Sequence, residues 1–339
     1  MPNKKFKNAL ERKSQTCPPI WLMRQAGRYH DHYQSLKKSH TFEELCKKPR
    51  LAAETAMGPI NEFDFDVAIL FSDILFPLEA LGMDLSYNPG PQFGLHLDEE
   101  NAGSLLTNQN PIDFMDFQGE AIERTIERLP EEKSLIGFVG GPWTLIAYAC
   151  NVNKDLSDIS ISNFQVGLLE NVILPLLKDN IKLQLNAGAE IVMIFDSAAH
   201  QLADEDFKIY LDKTFNELAK EFPNKVGYYA KDGINYDIII DKKNQEGIAL
   251  AGMGLDSSID LKDYFNQTGN GFIQGNFSEN FLTLPYEQFL PKLEDFINHM
   301  ADLGPDDRLG WVCGLGHGVL KTTPQENVKA FVTKIRENF

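Results

Sequence analysis

Seven short apolar runs recur along this chain of 339 residues, and a longer stretch of helical pattern lies between most of them. The runs are 67–71 (VAILF), 135–139 (LIGFV), 191–195 (IVMIF), 225–230 (KVGYYA), 247–253 (GIALAGM), 271–275 (GFIQG) and 310–315 (GWVCGL). Each run is too short for a core helix, and its continuous hydrophobicity predicts a strand that is covered on both faces of a parallel sheet. The amphipathic helical stretches are 112–128, 163–185, 204–222 and 286–300.

Alternating strands and helices over this length predict an α/β protein, either an open doubly wound sheet or a (β/α)8 barrel. Periodicity alone does not choose between the two. A candidate for an eighth strand is 236–240 (YDIII), although it lies close to its neighbours in the sequence. No linker and no change of composition divides the chain, which favours one domain over two.

Two segments carry the sequence of a helix start. Thr323-Pro324-Gln325-Glu326 predicts a capping box with proline at the first position of the last helix. Thr41 and Glu44 have the same spacing before the helix that leads to the first strand. We therefore expect both threonine side chains to accept the backbone N–H three residues further on.

The charge balance argues against several kinds of partner. Lysine and arginine together number 32 against 49 aspartates and glutamates, and a net charge of −17 repels both a nucleic-acid backbone and an anionic bilayer. The four cysteines form no C-x-x-C pair, which is typical of a protein of the reducing cytoplasm. No run of about 18 apolar residues predicts a membrane span, and the N-terminal segment lacks the apolar run of a secretory signal.

Polar groups follow several of the predicted strands directly. Ser72-Asp73 follows the first run, GGPWT (140–144) the second, Asp196-Ser197 the third and GLGHG (314–318) the last. The carboxyl ends of parallel strands meet at one rim, where the sites of α/β proteins are built. We therefore expect one pocket to gather these groups.

The segment before the first strand, 18–29 (PPIWLMRQAGRY), contains Arg24 and Arg28. Only eight of the 32 basic residues are arginines, so two within five positions are unusual. Arginine offers a planar fork of donors that matches a carboxylate or a phosphate, whereas lysine offers a point charge. The pair therefore indicates an anion site, with Gly27 allowing an unusual backbone turn. The alternative is that both arginines pair with acidic residues on the surface.

Six ordered sequence blocks carry a resemblance to a known family. P-x-W-x-M-R-Q-A-G-R occupies 19–28 intact, and F-S-D-I-L-x-P-L-E-A-L-G-M occupies 71–83. GGPWTLIAY (140–148), IFDS (194–197), IQGN (273–276) and LGHG (315–318) follow in order. The set resembles the uroporphyrinogen decarboxylase family over nearly the whole chain, and it is far more specific than a lone glycine motif.

That resemblance implies a single-domain, distorted (β/α)8 barrel spanning residues 1–339, usually a homodimer, which uses neither a cofactor nor a metal. It implies an enzyme of haem biosynthesis that decarboxylates the four acetate side chains of uroporphyrinogen III to methyl groups, giving coproporphyrinogen III. Loss of carbon dioxide from an acetate on a pyrrole needs an electron sink. The substrate itself can serve if its pyrrole is first protonated on a ring carbon beside the acetate-bearing carbon.

The resemblance also assigns roles to individual residues. Asp73 is implied to accept hydrogen bonds from the pyrrole N–H groups and to compensate the charge of the protonated ring. Arg24 and Arg28 complete the catalytic set and are implied to bind carboxylates. Arg24 is the candidate to help relay a proton, although a guanidinium pKa above ~12 makes it a poor acid. The other implied substrate-binding residues are Gln25, Ala26, Gly27, Tyr148, Phe195, Ser197 and His317.

Local sequence alone favours plainer roles for several of these residues. In that interpretation Asp73 caps a helix, Tyr148 is a half-buried aromatic residue, and His317 is a hydrogen-bonded core histidine. Ser197 lacks the G-x-S-x-G context of a nucleophile. Asp196 is expected to order the backbone rather than to touch a substrate.

Departures from the family pattern lie mostly in the second half of the chain. They are Ala198-Ala199-His200 in place of Trp-Ala-Gly, Ser257 in place of Trp, Phe277-Ser278-Glu279 in place of Leu-Asp-Pro, and Gly314 in place of Asn. None of them removes a residue to which chemistry is assigned. We therefore expect them to alter the wall of the pocket rather than the type of reaction.

Two other functions fit parts of the pattern. A zinc- and cobamide-dependent methyltransferase of the same fold needs H-x-C and a later Cys as metal ligands, and 230–233 (AKDG) contains neither His nor Cys. A non-catalytic tetrapyrrole-binding protein would keep Arg24, Arg28 and His317 but would have no need of Asp73. The intact block around Asp73 favours the enzyme.

Overall fold

The computed structural model describes residues 3–231 and 234–339. Within these ranges the strands are β1 (Val67–Ile69), β2 (Leu85–Tyr87), β3 (Pro91–Phe93), β4 (Ser134–Gly140), β5 (Val192–Asp196), β6 (Val226–Ala230), β7 (Gly252–Gly254), β8 (Phe272–Phe277) and β9 (Trp311–Leu315). Asp232 and Gly233, which belong to the stretch without zinc ligands, lie outside the described residues, as do Met1 and Pro2 at the N-terminus.

Helices connect most successive strands. The α-helices in the described ranges are α1 (Lys4–Leu10), α2 (Asp31–Lys37), α3 (Phe42–Lys47), α4 (Pro49–Phe63), α5 (Phe76–Ala80), α6 (Ala102–Leu105), α7 (Pro111–Phe114), α8 (Asp116–Ile126), α9 (Pro142–Ala149), α10 (Asn163–Leu168), α11 (Leu174–Asn186), α12 (Asp204–Thr214), α13 (Tyr236–Glu246), α14 (Leu261–Phe265), α15 (Tyr286–Ala301) and α16 (Gln325–Asn338). Two π-helical turns, Leu169–Ile173 and Phe215–Ala219, and two 3-10 turns, Ala199–Gln201 and Phe281–Thr283, adjoin them.

Seven parallel strands form one sheet in the order β1-β4-β5-β6-β7-β8-β9. Each of the seven apolar runs contributes one of these strands, so that prediction is confirmed. The strands are buried almost throughout, as continuous hydrophobicity requires of a sheet that is covered on both faces. The sheet curls into a half-barrel, and β2 pairs with β3 in a separate antiparallel hairpin.

Residues 19–21 connect the two edges of the parallel sheet. Cys313 in β9 donates its N–H to the Pro19 carbonyl at 2.9 Å and accepts the N–H of Trp21 at 3.1 Å. On the other side, the N–H of Asp66 donates to the Ile20 carbonyl at 3.0 Å, immediately before β1. The segment that precedes the two arginines is therefore hydrogen-bonded both to β9 and to the start of β1.

The expected eighth strand at 236–240 is wrong, because these residues begin helix α13. The side chain of Asn235 caps the helix by accepting the Asp237 N–H at 3.2 Å, and Gly247 ends it at φ 64°. The run of isoleucines favours a strand locally, but the two caps favour a helix. The buried residues of α13 include Tyr236, Ile239, Ile240 and Lys243, which lie on one helical face.

The four amphipathic stretches are confirmed as helical, although turns interrupt three of them. Residues 112–128 divide into α7 and α8, and a π-helical turn lies within each of 163–185 and 204–222. The capping box at Thr41 is confirmed at the start of α3, where the threonine hydroxyl accepts the Glu44 N–H at 3.1 Å.

The capping box expected at Thr323 is wrong. Helix α16 begins at Gln325, and Pro324 is its N-cap residue with an extended ψ of 132°, so the proline precedes the helix instead of opening it. The Thr323 side chain is buried, and among the described residues its hydroxyl has no hydrogen-bond partner. Packing in the core therefore decides the position of this threonine.

The carboxyl ends of the parallel strands meet at one rim, as the sequence predicts. At Gly140, where β4 ends, an added Cβ would lie 2.6 Å from the carbonyl oxygen of Ile74. At Gly141 it would lie 2.2 Å from Cγ of Asp196. Gly140 therefore allows the end of β4 to touch the loop that follows β1, and Gly141 allows it to touch the end of β5.

Of the helices in residues 3–231 and 234–339, none combines the length and the apolar character needed to cross a bilayer.

Candidate active site

A cluster of aromatic rings, here called the floor, lies at the carboxyl ends of the strands; it consists of Trp21, Phe138, Phe195 and Tyr229. Phe195, at the end of β5, stacks on Trp21 with 6.4 Å between ring centroids and tilts against Phe138 at 5.6 Å. The ring of Tyr229, from β6, meets the edge of Phe195 at 6.2 Å and that of His317 at 6.4 Å. Trp21, Phe138 and Tyr229 are buried, whereas Phe195 is partly exposed. The floor is therefore apolar, and Phe195 is the ring that faces outward.

Asp73 lies in the loop after β1, and one backbone group fixes its carboxylate. Its Oδ1 accepts the N–H of Leu75 at 2.9 Å. Helix α5 begins at Phe76 with Leu75 as its N-cap and with no side-chain cap, so Asp73 holds the turn before the helix rather than the helix itself. The residue as a whole is partly exposed. A capping role therefore accounts for one carboxylate oxygen of Asp73, the one that accepts the Leu75 N–H.

The surroundings of Asp73 act on its ionisation in opposite directions. Burial raises the pKa of this carboxyl, whereas the Leu75 N–H, the Tyr87 hydroxyl and the charge of Arg24 act to lower it. The hydroxyl of Tyr87 is buried near the carboxylate but outside hydrogen-bond geometry, and within the described residues it has no hydrogen-bond partner. Burial therefore disfavours the charged form of Asp73, and the nearby Arg24 favours it.

Tyr148 belongs to the same group. It is the penultimate residue of α9 and is 40% exposed. Burial of part of the ring and the charge of Asp73 raise the pKa of its hydroxyl, and the charge of Arg24 opposes this rise. Asp73, Arg24 and Tyr148 are thus close enough to act on one another electrostatically, as the predicted pocket requires.

Arg24 has an unusual backbone conformation. Its φ is 58°, in the left-handed region that costs a non-glycine residue about 1–2 kcal/mol. The stem of its side chain lies on Gly318, where an added Cβ would fall 2.5 Å from Cδ of Arg24. The N–H of Val319 donates to the Met23 carbonyl at 2.9 Å and ties the two loops together. The strained turn therefore directs Arg24 across the loop that carries His317.

Both arginines are exposed, and neither forms an ion pair with any carboxylate in the described part of the chain. The alternative that they pair with acidic surface residues is therefore wrong for these residues. The charge of Arg28 acts on Tyr33, where burial raises the pKa of the hydroxyl to about 12 and Arg28 opposes the rise. Two exposed cations without a carboxylate partner are what an anion site needs.

Gln25 does not reach the rim, and its predicted role in binding needs correction. It is 1% exposed, and its amide donates to the Val67 carbonyl at 3.0 Å. Its backbone carbonyl accepts the Tyr29 hydroxyl at 2.7 Å. The side-chain amide of Gln25 therefore points into the interior, where it ties the arginine segment to β1. Ala26 and Gly27 are partly exposed between the arginines.

His317 is partly exposed at the rim, which argues against the interpretation as a core histidine. Its Nδ1 accepts the N–H of Gly318 at 2.6 Å. A neutral imidazole has one donor nitrogen and one acceptor nitrogen, so an accepting Nδ1 leaves the proton on Nε2. The ring can therefore donate to a carboxylate above the floor.

Asp196 orders the backbone below the rim, as the sequence predicts. It is fully buried and accepts the Thr144 N–H at 3.0 Å, the Thr144 hydroxyl at 2.8 Å and the Tyr228 hydroxyl at 3.0 Å. The Tyr210 hydroxyl is a further donor to it. The two bonds from Thr144 fix the start of α9 to the end of β5. They thereby set the positions of Tyr148 and of the partly exposed Ser197.

The whole length of the chain matches one family model, described as Uroporphyrinogen decarboxylase (URO-D), over residues 1–338. The chain belongs to the uroporphyrinogen decarboxylase family. Among curated relatives, the uroporphyrinogen decarboxylase of Orientia tsutsugamushi (strain Ikeda) is 32% identical over 354 aligned positions, which cover 98% of each chain. That of Prochlorococcus marinus (strain MIT 9215) is 32% identical and covers 93% of this chain and 92% of its own.

Solved structures share this fold at low sequence identity. A methyltransferase from Methanosarcina mazei has a TM-score of 0.73 at 18% identity and covers 99% of this chain and 98% of its own. A putative vitamin-B12-independent methionine synthase from Listeria monocytogenes has a TM-score of 0.52 at 13% identity and covers 96% and 99%. At such low identity these similarities show the fold alone.

Four residues of this uroporphyrinogen decarboxylase family member are missing from the sequence-based site. Trp21, Phe138 and Tyr229 build the floor, and Tyr87 stands behind Asp73. Tyr229 lies one residue before the end of β6, so the rule that sites form at strand ends could have found it. Tyr87 lies in the separate hairpin, outside the sequence block at 71–83, and no signal in the sequence points to it.

In residues 3–231 and 234–339, no three or more His, Cys, Asp and Glu side chains are grouped as ligands for one metal ion.

Proposed function

We propose that this chain decarboxylates the four acetate side chains of uroporphyrinogen III, giving coproporphyrinogen III and four molecules of carbon dioxide. Membership of the uroporphyrinogen decarboxylase family and the names of its relatives support this reaction. The structural observation that carries the proposal is that Arg24 lies over the loop of His317 and also acts electrostatically on Asp73 and Tyr148.

The reaction needs no external electron sink in this proposal. A proton adds to a ring carbon beside the acetate-bearing carbon and converts the pyrrole into an iminium-like cation. The bond between the methylene and the carboxylate then breaks, and its electron pair neutralises the cation as carbon dioxide leaves. A second proton turns the exocyclic methylene into a methyl group, and loss of the first proton restores the pyrrole. One proton is consumed for each carbon dioxide released.

Asp73 supplies the fixed negative charge for this cation. The Leu75 N–H holds one of its oxygens at 2.9 Å, and Asp73 is a partly exposed residue. An ionised carboxylate in a desolvated site stabilises a nearby developing cation far more than it would in water. It also accepts hydrogen bonds from pyrrole N–H groups, so binding and charge compensation use the same group.

Arg24 and Arg28 bind carboxylates of the substrate with their planar forks. His317 offers its Nε2 proton to a further carboxylate, and Tyr148 and Ser197 offer hydroxyl groups. Phe195 supports the apolar face of the macrocycle. Arg24 lies near enough to Asp73 to help relay a proton, either directly or through an adjacent water, but a guanidinium pKa above ~12 makes carboxylate binding its principal role.

The finer points of architecture are also proposals. We propose that residues 1–339 form one (β/α)8 barrel domain in which the segment around Ile20, bonded to β9 and to the start of β1, takes the eighth position. A homodimer in the cytoplasm is proposed with it. The resemblance to the family is the basis for the homodimer, and four free thiols agree with a reducing compartment.

The test is to incubate the purified protein with uroporphyrinogen III under reducing conditions and to separate products by their number of carboxylates. Conversion from eight carboxylates through seven, six and five to four is expected. Tight binding without products would instead support the non-catalytic tetrapyrrole-binding protein. Stoichiometric zinc in the protein together with no conversion would support the methyltransferase.

A further inference from the structure

A buried hydrogen bond joins β6 to the loop that carries His317. The hydroxyl of Tyr229 donates to the carbonyl oxygen of Gly316 at 3.0 Å. Tyr229 is only 4% exposed, and Gly316 is buried as well. Because water does not compete for a buried carbonyl, this bond constrains the loop more than an exposed bond would.

The same loop is held on its other sides by backbone contacts and by one more side chain. The N–H of Gly316 donates to the Phe277 carbonyl at 3.0 Å, and the amide of Gln274 donates to the Leu315 carbonyl at 3.0 Å. An added Cβ at Gly316 would lie 2.3 Å from the backbone nitrogen of Ser257. Two buried side chains thus hold two successive carbonyls, and the bond from Tyr229 is the one next to His317.

Tyr229 also contacts His317 directly. The two rings are edge to face, with 6.4 Å between their centroids, and the other side of Tyr229 meets Phe195 at 6.2 Å. The imidazole Nδ1 is held by the N–H of Gly318 at 2.6 Å. The position of the histidine therefore depends on the loop at Gly316 and Gly318, and on the aromatic ring beneath it.

We propose that Tyr229 is a positioning residue whose hydroxyl, by holding the Gly316 carbonyl, fixes His317 with its Nε2 proton directed to a substrate carboxylate. This rests on the proposed function for the identity of the ligand, but the orientation of the ring does not depend on it. Tyr229 does not touch the reacting atoms. It acts through the loop, so its loss weakens binding and leaves the chemical step intact.

A matched pair of variants separates positioning from general stability. Tyr229→Phe removes only the hydroxyl that bonds Gly316, and Tyr228→Phe removes the neighbouring hydroxyl, which donates to Asp196 at 3.0 Å. Both tyrosines are buried in β6, and the bonds from Tyr229 to Gly316 and from Tyr228 to Asp196 are both 3.0 Å long. Asp196 retains its bonds from Thr144 and Tyr210 in the control.

The kinetic readout is the separation of KM from kcat for uroporphyrinogen III. Tyr229→Phe is expected to raise KM about 3- to 10-fold, the effect of one buried hydrogen bond, with kcat within about twofold of wild type. Tyr228→Phe is expected to leave KM unchanged. Its midpoint of thermal unfolding is expected to fall by as much as that of Tyr229→Phe. Equal KM values in the two variants would overturn the proposal.

The second readout needs no substrate. Selective ¹⁵N labelling of the seven histidines, with His317→Gln to identify the signal, reports which ring nitrogen of His317 carries the proton in alkaline buffer. Wild type and Tyr228→Phe are expected to show protonated Nε2, and Tyr229→Phe a mixture of tautomers. An unchanged His317 signal in Tyr229→Phe would contradict the positioning role. If wild type did not turn over uroporphyrinogen III, only the proposed function would fail, because this signal would still be measurable.

Discussion

The side chain of Arg24 lies directly over Gly318, where an added Cβ would stand 2.5 Å from Cδ and 2.8 Å from Cγ of the arginine. A left-handed backbone at Arg24, with φ at 58°, gives the side chain this direction. Two motifs that are almost 300 positions apart in the sequence are therefore fitted to each other at the rim. The absence of a side chain at Gly318 therefore makes room for the side chain of Arg24.

Gly318→Ala should therefore impair activity while leaving stability nearly unchanged. The methyl group would displace the flexible, exposed stem of Arg24 rather than buried backbone, so unfolding by urea should stay within about 0.5 kcal/mol of wild type. A displacement of the guanidinium should lower kcat/KM about 10- to 100-fold. Wild-type kcat/KM in a correctly folded Gly318→Ala variant would show that the position of Arg24 does not matter.

Arg28→Lys should weaken substrate binding more than a conservative exchange suggests. Lysine keeps the charge but loses the two-pronged contact with a carboxylate, so we expect KM to rise roughly 5-fold, equivalent to about 1 kcal/mol. Arg50→Lys is the control, because Arg50 is also exposed and forms no ion pair within the described residues. Equal KM values for the two variants would mean that Arg28 does not bind carboxylate.

Asp196→Ala should destabilise the fold strongly. It would leave the Thr144 N–H and hydroxyl and two tyrosine hydroxyls buried without their acceptor, at a cost of at least about 3 kcal/mol in the free energy of unfolding. Asp241→Ala removes an exposed aspartate from α13 and should cost little. Urea unfolding measures both, and a cost for Asp196→Ala no larger than for the control would refute the ordering role.

Asp73→Asn should be more stable than wild type at neutral pH. Burial raises the pKa of Asp73 in the folded state, so the folded protein holds this proton more tightly than the unfolded chain, whose pKa is about 3.9. Wild-type stability therefore falls as pH rises through the interval between the two pKa values. Asparagine keeps an acceptor for the Leu75 N–H and carries no charge.

Urea unfolding of wild type and Asp73→Asn at several pH values checks this sign. The stability advantage of the variant should grow as pH rises from about 4 and should disappear in more acidic buffer, where both side chains are neutral. An advantage of the wild type at neutral pH would show that hydrogen bonds and Arg24 outweigh burial. In that case the folded protein would stabilise the ionised form of Asp73 relative to the unfolded chain.

The sheet was predictable because its strands are continuous apolar runs that only a doubly covered sheet explains. The helix at 236–240 was not, because three isoleucines in a row resemble a strand and only Asn235 and Gly247 show otherwise. The connection of the sheet edges by Ile20 was also not predictable. Its bonds join the N-terminal segment to residues near positions 66 and 313, and no local pattern records such a pairing.

The positions of polar groups at the rim were predictable where such a group follows a strand directly, as for Asp73 and His317. Gln25 shows the limit of carrying a motif over residue by residue, because a residue between two exposed arginines is turned into the interior. Tyr229 shows the opposite limit. Its apolar ring looks like core in the sequence, and only the distance from its hydroxyl to the Gly316 carbonyl reveals a contact with the site.

The most direct measurement of the central claim is the turnover of uroporphyrinogen III by folded Asp73→Asn, compared with wild type under the same reducing conditions. Wild type should release carbon dioxide and accumulate coproporphyrinogen III, whereas the variant should bind the substrate and form no product, because no charge faces the pyrrolic cation. A variant that retained most of the wild-type rate would contradict the assignment of Asp73 as the compensating charge.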